Sequence, residues 1–109
     1  MHSRRWILVL LSILMISFLL HAQKKGDVDK GKTLFSRCAI CHGATGEGNE
    51  NMGKVLGVTM PNLSSKGVQS KDTAALKKII LEGKGKMKSV SLSNQEVEDV
   101  IAYLRTFKK

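Results

Sequence analysis

The chain carries, at residues 38–42, the pentapeptide Cys-Ala-Ile-Cys-His. Two cysteines three positions apart, followed at once by a histidine, form the attachment pattern of c-type haem. Each thiol, Cys38 and Cys41, can add to one haem vinyl group, and the His42 ring can then bind the iron. A short turn of helix brings both sulfurs to the porphyrin edge and the imidazole to its centre. The sequence therefore predicts one covalently attached haem c, with His42 as an axial iron ligand.

Two other interpretations of the Cys-x-x-Cys pair fit less well. A redox-active disulfide is expected beside a thioredoxin-like βαβ pattern, and the sequence shows no strand pattern. A structural zinc ion needs four ligands, whereas the chain has 2 cysteines in all and no histidine after His42. Haem attachment is therefore the favoured interpretation.

Residues 1–22 have the layout of a secretory signal peptide. Arg4 and Arg5 give a short basic start, an apolar run extends from Trp6 to Leu20, and Ala22 is a small residue at the cleavage point. The run is shorter than the roughly 20 residues that a membrane-spanning helix prefers. A retained anchor is the weaker alternative, and membrane association is expected only if 1–22 stays attached. We therefore expect a cleaved signal peptide, 1–22, and a domain, 23–109, in the periplasm.

The composition sets limits on this domain. The whole chain has 18 Lys+Arg against 9 Asp+Glu, a formal net charge of +9. Residues 23–109 make a short chain for a self-sufficient core, and a buried haem would supply the missing apolar mass. The positive charge predicts a redox partner with an acidic docking surface. Nucleic acid is not expected as a partner, because the exported chain lacks a patch of interleaved aromatic and basic residues.

Apolar spacing and capping residues predict three main helices and no strand. The first runs from the N-cap Asp27 to about residue 38, and the second from residue 70 or 72 to about 82. The third follows a capping box at 93–96 and has apolar residues at helical spacing as far as 107. Residues 50–69 are predicted to be loop-like with one short helical turn, and residues 84–90 to be irregular.

The second axial ligand is sought among the methionines, because removal of residues 1–22 leaves His42 as the only histidine. Met87 lies between Lys86 and Lys88 in the irregular, glycine-containing segment 84–90, which we call the strap. A methionine that only fills the core is not expected between two lysines, because both lysines must reach water. The pattern favours Met87 as the sixth ligand, with Met60 as the next candidate.

The segment Pro61-Asn62-Leu63 is predicted to line the haem pocket. The Pro61 carbonyl could accept a hydrogen bond from the second ring nitrogen of His42, which would orient the ring and raise its basicity. Leu63 is predicted to belong to an apolar shell around the haem, which also includes Leu34, Leu76, Ile79 and Leu92.

Taken together, these motifs resemble the small monohaem class I cytochromes c of the bacterial single-domain kind. The resemblance covers nearly all of residues 27–107. It is carried by Gly31 and Phe35 before the pentapeptide, by Pro61-Asn62-Leu63, by the run from Ile79 to Met87, and by Leu92-Ser93 leading to Val100 and Tyr103.

The resemblance implies an all-α fold, with three main helices and loops wrapped around one haem. The first and last helices are expected to cross where Gly31, Phe35, Val100 and Tyr103 meet. The resemblance also implies that Pro61 is the acceptor for His42 and that Met87 is the sixth ligand. One position departs from the family pattern, because proline usually follows that methionine and this chain has Lys88, which predicts a less rigid strap.

Six-coordinate iron is closed to substrates, so the expected function is soluble one-electron transfer and not catalysis. The lysines at 54, 84, 86 and 88 are expected to steer docking at the exposed haem edge, or else only to keep the protein soluble. The alternative is a five-coordinate haem protein with a labile Met87, peroxidase-like or gas-binding, but the sequence offers no distal acid–base residue for it. A module of a larger dehydrogenase or oxidase would differ only in its partner.

Overall fold

The computed structural model describes residues 2–20 and 25–109 and, within them, the side chains of all residues except 18–20. Seven helices lie in these described residues. Within these residues there is no β-strand, only an isolated bridge between Lys84 and Met87. The predicted all-α class is therefore confirmed, while the predicted boundary between residues 22 and 23 lies outside the described residues. The helices are α1 (His2–Leu20), α2 (Val28–Phe35), α3 (Ala39–His42), α4 (Glu50–Leu56), α5 (Lys66–Gln69), α6 (Thr73–Glu82) and α7 (Asn94–Arg105).

The N-terminal helix α1 is formed by the apolar run of the sequence. Its large apolar side chains, from Trp6 to Ile16, are between 50% and 72% exposed. The buried hydrophobic core begins only at Phe35. No helix in the described ranges combines the length and the apolar character needed to cross a membrane.

The three predicted main helices are present with their predicted caps. The Asp27 side chain accepts hydrogen bonds from two backbone N–H groups at the start of α2, and Asp72 caps α6 by accepting one from Ala75 N. At the start of α7, Ser93 and Glu96 form both hydrogen bonds of the capping box. These side chains satisfy backbone donors that have no partner inside the helix.

Two sequence-based boundaries differ from the structure. The first main helix ends at Phe35 and not near residue 38, because a turn with Cys38 N bonded to Phe35 O at 2.8 Å separates it from α3. The segment 50–69 contains two helices, α4 and α5, where one short turn was expected. Asn49 caps α4 through a bond from Met52 N, and Gly57 ends it in the left-handed conformation (φ 69°).

The core is built on α7. Val97, Val100, Ile101 and Leu104 lie along one face of this helix and are all at most 6% exposed. They pack with Phe35 of α2, with Leu76 and Ile80 of α6, and with Leu63 of segment 57–65 between α4 and α5, here called the central loop. Burial of one apolar stripe per helix is the usual way in which small helical domains gain stability.

Helices α2 and α7 cross in close contact because α2 carries a glycine at the crossing. A Cβ atom built on Gly31 would overlap the Asp99 carbonyl oxygen and lie 2.9 Å from Tyr103 Cβ. One helical turn further along α2, the ring of Phe35 packs edge to face with those of Tyr103 and Phe107, and the three ring centroids are 5.0–5.4 Å apart. The predicted contact between the first main helix (α2) and the last helix (α7) is therefore present, and Gly31 is the residue that allows it.

The substitution Gly31→Ala tests this crossing. We expect a net loss of about 2 kcal/mol in the free energy of unfolding, since the overlap with backbone outweighs the gain of about 1 kcal/mol in helix propensity. Gly67→Ala is the matched control, because a Cβ there meets nothing within 4 Å and the residue has no positive φ. Denaturant unfolding of both variants provides the measurement. Equal stability of the two would contradict the close-crossing interpretation.

Candidate haem attachment site

The predicted attachment residues lie on a single helical turn. His42 N donates to Cys38 O at 2.9 Å, and Cys41 N donates to the same oxygen at 3.2 Å. Gly43 ends this turn with a φ of 80°, a conformation that suits glycine because a Cβ would be strained there. The structure therefore brings Cys38, Cys41 and His42 together as the sequence predicts.

Both thiols are half-buried, and neither forms a disulfide. Burial raises the pKa of the Cys38 thiol, and the nearby Arg37 charge only partly opposes this rise. Redox-active Cys-x-x-Cys pairs usually have a cysteine with a lowered pKa. The environment of Cys38 is therefore unlike that of a thiol–disulfide exchange site.

The His42 ring is held in the form that binds metals. Burial lowers the pKa of its imidazole below the usual value, so the ring is neutral at pH 7. Its Nδ1 atom is buried and has no hydrogen-bond partner among the described residues. A ligating histidine normally donates through the nitrogen that does not bind the metal, so Nδ1 would need an acceptor if Nε2 bound the iron.

The loop after His42 folds back along it and meets the segment 60–63. Gly48 N donates to His42 O at 2.7 Å, and Leu63 N donates to Gly46 O at 2.7 Å. A Cβ built on Gly48 would lie 3.1 Å from Met60 O and 3.5 Å from Pro61 O. The carbonyls of Met60 and Pro61 therefore lie beside the chain that carries the histidine.

Residues 61 and 63 occupy different environments. Pro61 is exposed, and the structure records no hydrogen bond from His42 to its carbonyl, so this acceptor role stays a prediction. Leu63 is 8% exposed and belongs to the hydrophobic core.

Met87 lies at the end of a tight hairpin in the strap after α6. Lys84 and Met87 exchange two backbone hydrogen bonds, of 2.9 and 3.0 Å, across Gly85 and Lys86. Met87 is half-buried and packs against the hydrophobic core, whereas the lysines at 84, 86 and 88 are exposed. This is the expected pattern of one inward thioether between outward charges.

Met87 and Cys38 border the same core, although they are far apart in the sequence. The other candidate, Met60, does not pack against that core and instead lines an open pocket with Gly48 and Thr59. The backbone of Met60 also lies on the side of the His42 loop. Of these two methionines, Met87 is the one that borders the same core as Cys38, and its role as an iron ligand stays a prediction.

Two polar residues that support the site were not predicted. Asn49 donates from its side chain to Ile40 O at 3.0 Å and from its backbone to Cys41 O at 2.9 Å, which ties α4 to the attachment turn. The pair Asn49-Glu50 is an N-cap followed by an acid, a signal that could have identified α4. Gln69 donates to Leu63 O at 2.8 Å, and no local sequence signal indicates this contact.

The residues present fit a c-type haem. Two unpaired thiols on one helical turn, a neutral imidazole with a buried and unpartnered Nδ1, and a thioether on the strap form the required donor set. The haem would be held by Cys38 and Cys41 as thioethers, with the iron bound by His42.

The fold and this donor set define a small all-α c-type haem protein. The sequence model of the cytochrome c family matches residues 28–108, and the chain belongs to this family. Among solved structures, the chain is similar to "KustC0563 c-type cytochrome", at 26% identity and a TM-score of 0.61, covering 72% of this chain and 98% of that one. No curated protein matches the chain. The protein is therefore a c-type cytochrome of a family of electron carriers, and it carries covalently attached haem c.

The covalent link has a direct test. The denatured wild-type protein should keep its pigment in acidified organic solvent, and its intact mass should include the haem, because thioethers survive unfolding. The double variant Cys38→Ala/Cys41→Ala should lose all covalent pigment, while either single variant keeps one thioether. Pigment extracted from the wild type would contradict the assignment.

Proposed function

We propose that the protein is a soluble one-electron carrier in which His42 and Met87 bind the haem iron from opposite faces. The observation that carries the proposal is the placement of Met87, inward on a strap that borders the same core as Cys38. The haem supplies the one-electron Fe(II)/Fe(III) couple. With both axial positions filled by side chains, the chain leaves no site for a substrate, so the protein is not an enzyme.

Each residue of the site has a distinct role in this proposal. In this proposal His42 binds the iron through Nε2 and donates from Nδ1 to a carbonyl, for which Pro61 is the predicted acceptor. Met87 supplies a neutral thioether, which favours the reduced state and raises the potential. Leu63 and Leu76, which are 8% and 5% exposed, keep water away from the haem face.

The strap has Lys88 where the family pattern has a proline, and backbone contacts on both sides of Met87 hold the strap in place. A Cβ built on Gly83 would lie 2.7 Å from Met87 O and 2.9 Å from Ser89 N, so the strap passes directly over this glycine. Val90 N then donates to Ile80 O at 2.8 Å and ties the end of the strap to α6. Together with the hairpin bonds, these contacts support a firm position for Met87 despite Lys88.

We propose an acidic redox partner that docks on the hairpin. Lys84, Lys86 and Lys88 are exposed and form no ion pair with the described residues. Lys54, the fourth lysine considered, lies 3.2 Å from Glu50, so its charge is partly neutralised. The hairpin lysines are therefore the stronger source of attraction for an acidic surface.

We propose also that residues 1–22 are a signal peptide and that the mature chain acts in the periplasm. The exposure of the apolar side chains of α1 supports this proposal, as does a buried core that begins only at Phe35. Cleavage after Ala22 would remove none of the core. The intact mass of the exported protein also reports where the mature chain begins.

The axial role of Met87 is tested by visible spectroscopy. The oxidised wild-type protein should show the weak red sulfur-to-iron band, and Met87→Ala should lose it entirely. Met60→Ala is the matched control and should keep the band at wild-type intensity. A wild-type ferrous haem that is high-spin and binds CO readily would instead favour the five-coordinate alternative, a peroxidase-like or gas-binding protein.

The docking role of the hairpin is tested with the anionic oxidant hexacyanoferrate(III). At low ionic strength, Lys84→Glu/Lys86→Glu should react about tenfold more slowly than the wild type, because steering of the anion is lost. The difference should vanish near 1 M salt, where the Debye length is about 3 Å.

The control for this experiment is Lys30→Glu/Lys32→Glu, which makes the same change in net charge on exposed positions of α2. This variant should react at close to the wild-type rate. Equal slowing of both double variants would assign the effect to net charge and reject a docking surface at the hairpin.

A further inference from the structure

Gln69 connects three parts of the fold through one side chain. Its Nε2 donates to Leu63 O at 2.8 Å and to Leu104 O of α7 at 3.0 Å. Arg105, one residue further along α7, donates to Gln69 O at 2.8 Å and to Lys71 O at 2.6 Å. The end of α5 is therefore fastened to α7, and the Gln69 amide reaches from there to the central loop.

The orientation of the amide group is unambiguous. Two carbonyl oxygens contact Nε2, so a flipped amide would place three oxygen atoms against one another. In the observed orientation, Oε1 is buried and accepts no hydrogen bond from the described residues. An unpaired buried oxygen is unfavourable, and an apolar side chain of the same length would avoid this cost. The two bonds of Nε2 are the physical reason for an amide here.

These bonds fix residues 61–63 from both sides. The N–H group of Leu63 is bound by Gly46 O, in the loop that follows His42, and its carbonyl is bound by Gln69. Pro61 lies two residues before Leu63, and its carbonyl lies beside Gly48, which donates to His42 O. A shift of Leu63 would therefore carry the Pro61 carbonyl with it.

We propose that Gln69 is a positioning residue for the axial histidine: its amide anchors Leu63 to α7 and so holds the Pro61 carbonyl beside the His42 loop, as the predicted acceptor of the Nδ1 proton in the haem-bound protein. This proposal rests on the proposed ligation of iron by His42. Gln69 touches neither the histidine nor the reacting iron, and it acts through the backbone of 61–63. Because that hydrogen bond sets the basicity of the imidazole, Gln69 also contributes to the redox properties of the site.

The test follows the Nδ1 proton of His42 directly, by NMR of the reduced holoprotein with labelled histidine. In Gln69→Met, which keeps the length of the side chain and removes the donor, this proton should exchange with D₂O about tenfold faster than in the wild type, the factor that corresponds to one net hydrogen bond. Gln95→Met is the matched control, because Gln95 Nε2 donates at 3.0 Å to Asp99, four residues along the same helix. It should exchange at the wild-type rate.

A general loss of stability has a different signature. It would accelerate exchange at the Val97 amide, which lies at a fully buried residue of α7, by the same factor as at His42 and Leu63. A positioning role predicts acceleration at His42 Nδ1 and at the Leu63 amide relative to Val97. Equal factors at all three positions would overturn the proposal.

A second variant covers the case in which Gln69→Met does not fold. Gln69→Asn keeps the amide but is one methylene shorter and cannot reach both carbonyls, so its exchange should lie between those of the wild type and the Met variant. Wild-type exchange in either variant, with an intact low-spin spectrum, would overturn this inference alone. A wild-type protein without His42 ligation would overturn the proposed function and this inference with it.

Discussion

The close approach of α2 and α7 at Gly31 is the contact on which the rest of the structure depends. Because the Gly31 backbone touches the Asp99 carbonyl, the end of α2 and the Phe35 ring are fixed against α7. The buried Asp99 side chain strengthens this contact by accepting from Asp27 N at 2.8 Å. The turn after Phe35 then determines where α3 starts, and α3 with its N-cap Cys38 carries both thiols and the histidine. A side chain at position 31 would therefore affect the haem site through the backbone, without touching the cofactor.

The α7 helix also anchors the other segments that reach the site. The strap with Met87 is tied to α6, and α6 packs on α7 through Leu76 and Ile80. The central loop is tied to α7 by Gln69 and Leu63. Under the proposed ligation by His42 and Met87, both iron ligands would therefore take their position from α7. This arrangement suits a carrier, because an electron transfers readily when the surroundings of the iron move little between its two oxidation states.

The fold class, the attachment residues and the caps of the three main helices could be predicted from the sequence because each has a local signal. Asp27, Asp72 and Ser93 satisfy helix termini within a few residues, and the cysteine–histidine spacing is itself a motif. The helices of 50–69 were missed because their ends depend on Asn49 and Gly57 inside a glycine-rich stretch that reads as a loop. Gln69 could not be predicted at all, since its partners Leu63 and Leu104 come together only in the folded chain. The same holds for the lowered pKa of His42, which results from burial.

The small core explains why a covalent cofactor suits this chain. Among the residues that the structure describes, eight hydrophobic ones are buried, and only Val97 of the larger side chains is fully enclosed. Such a core supplies little stability for a domain of this length, and Cys38 and Met87 both lie at its border. A haem placed between them would extend this apolar cluster. A bound group stabilises the folded state only as long as it stays bound. Thioether bonds remove the dissociation step, so the apolar surface that the haem adds becomes a permanent part of the core.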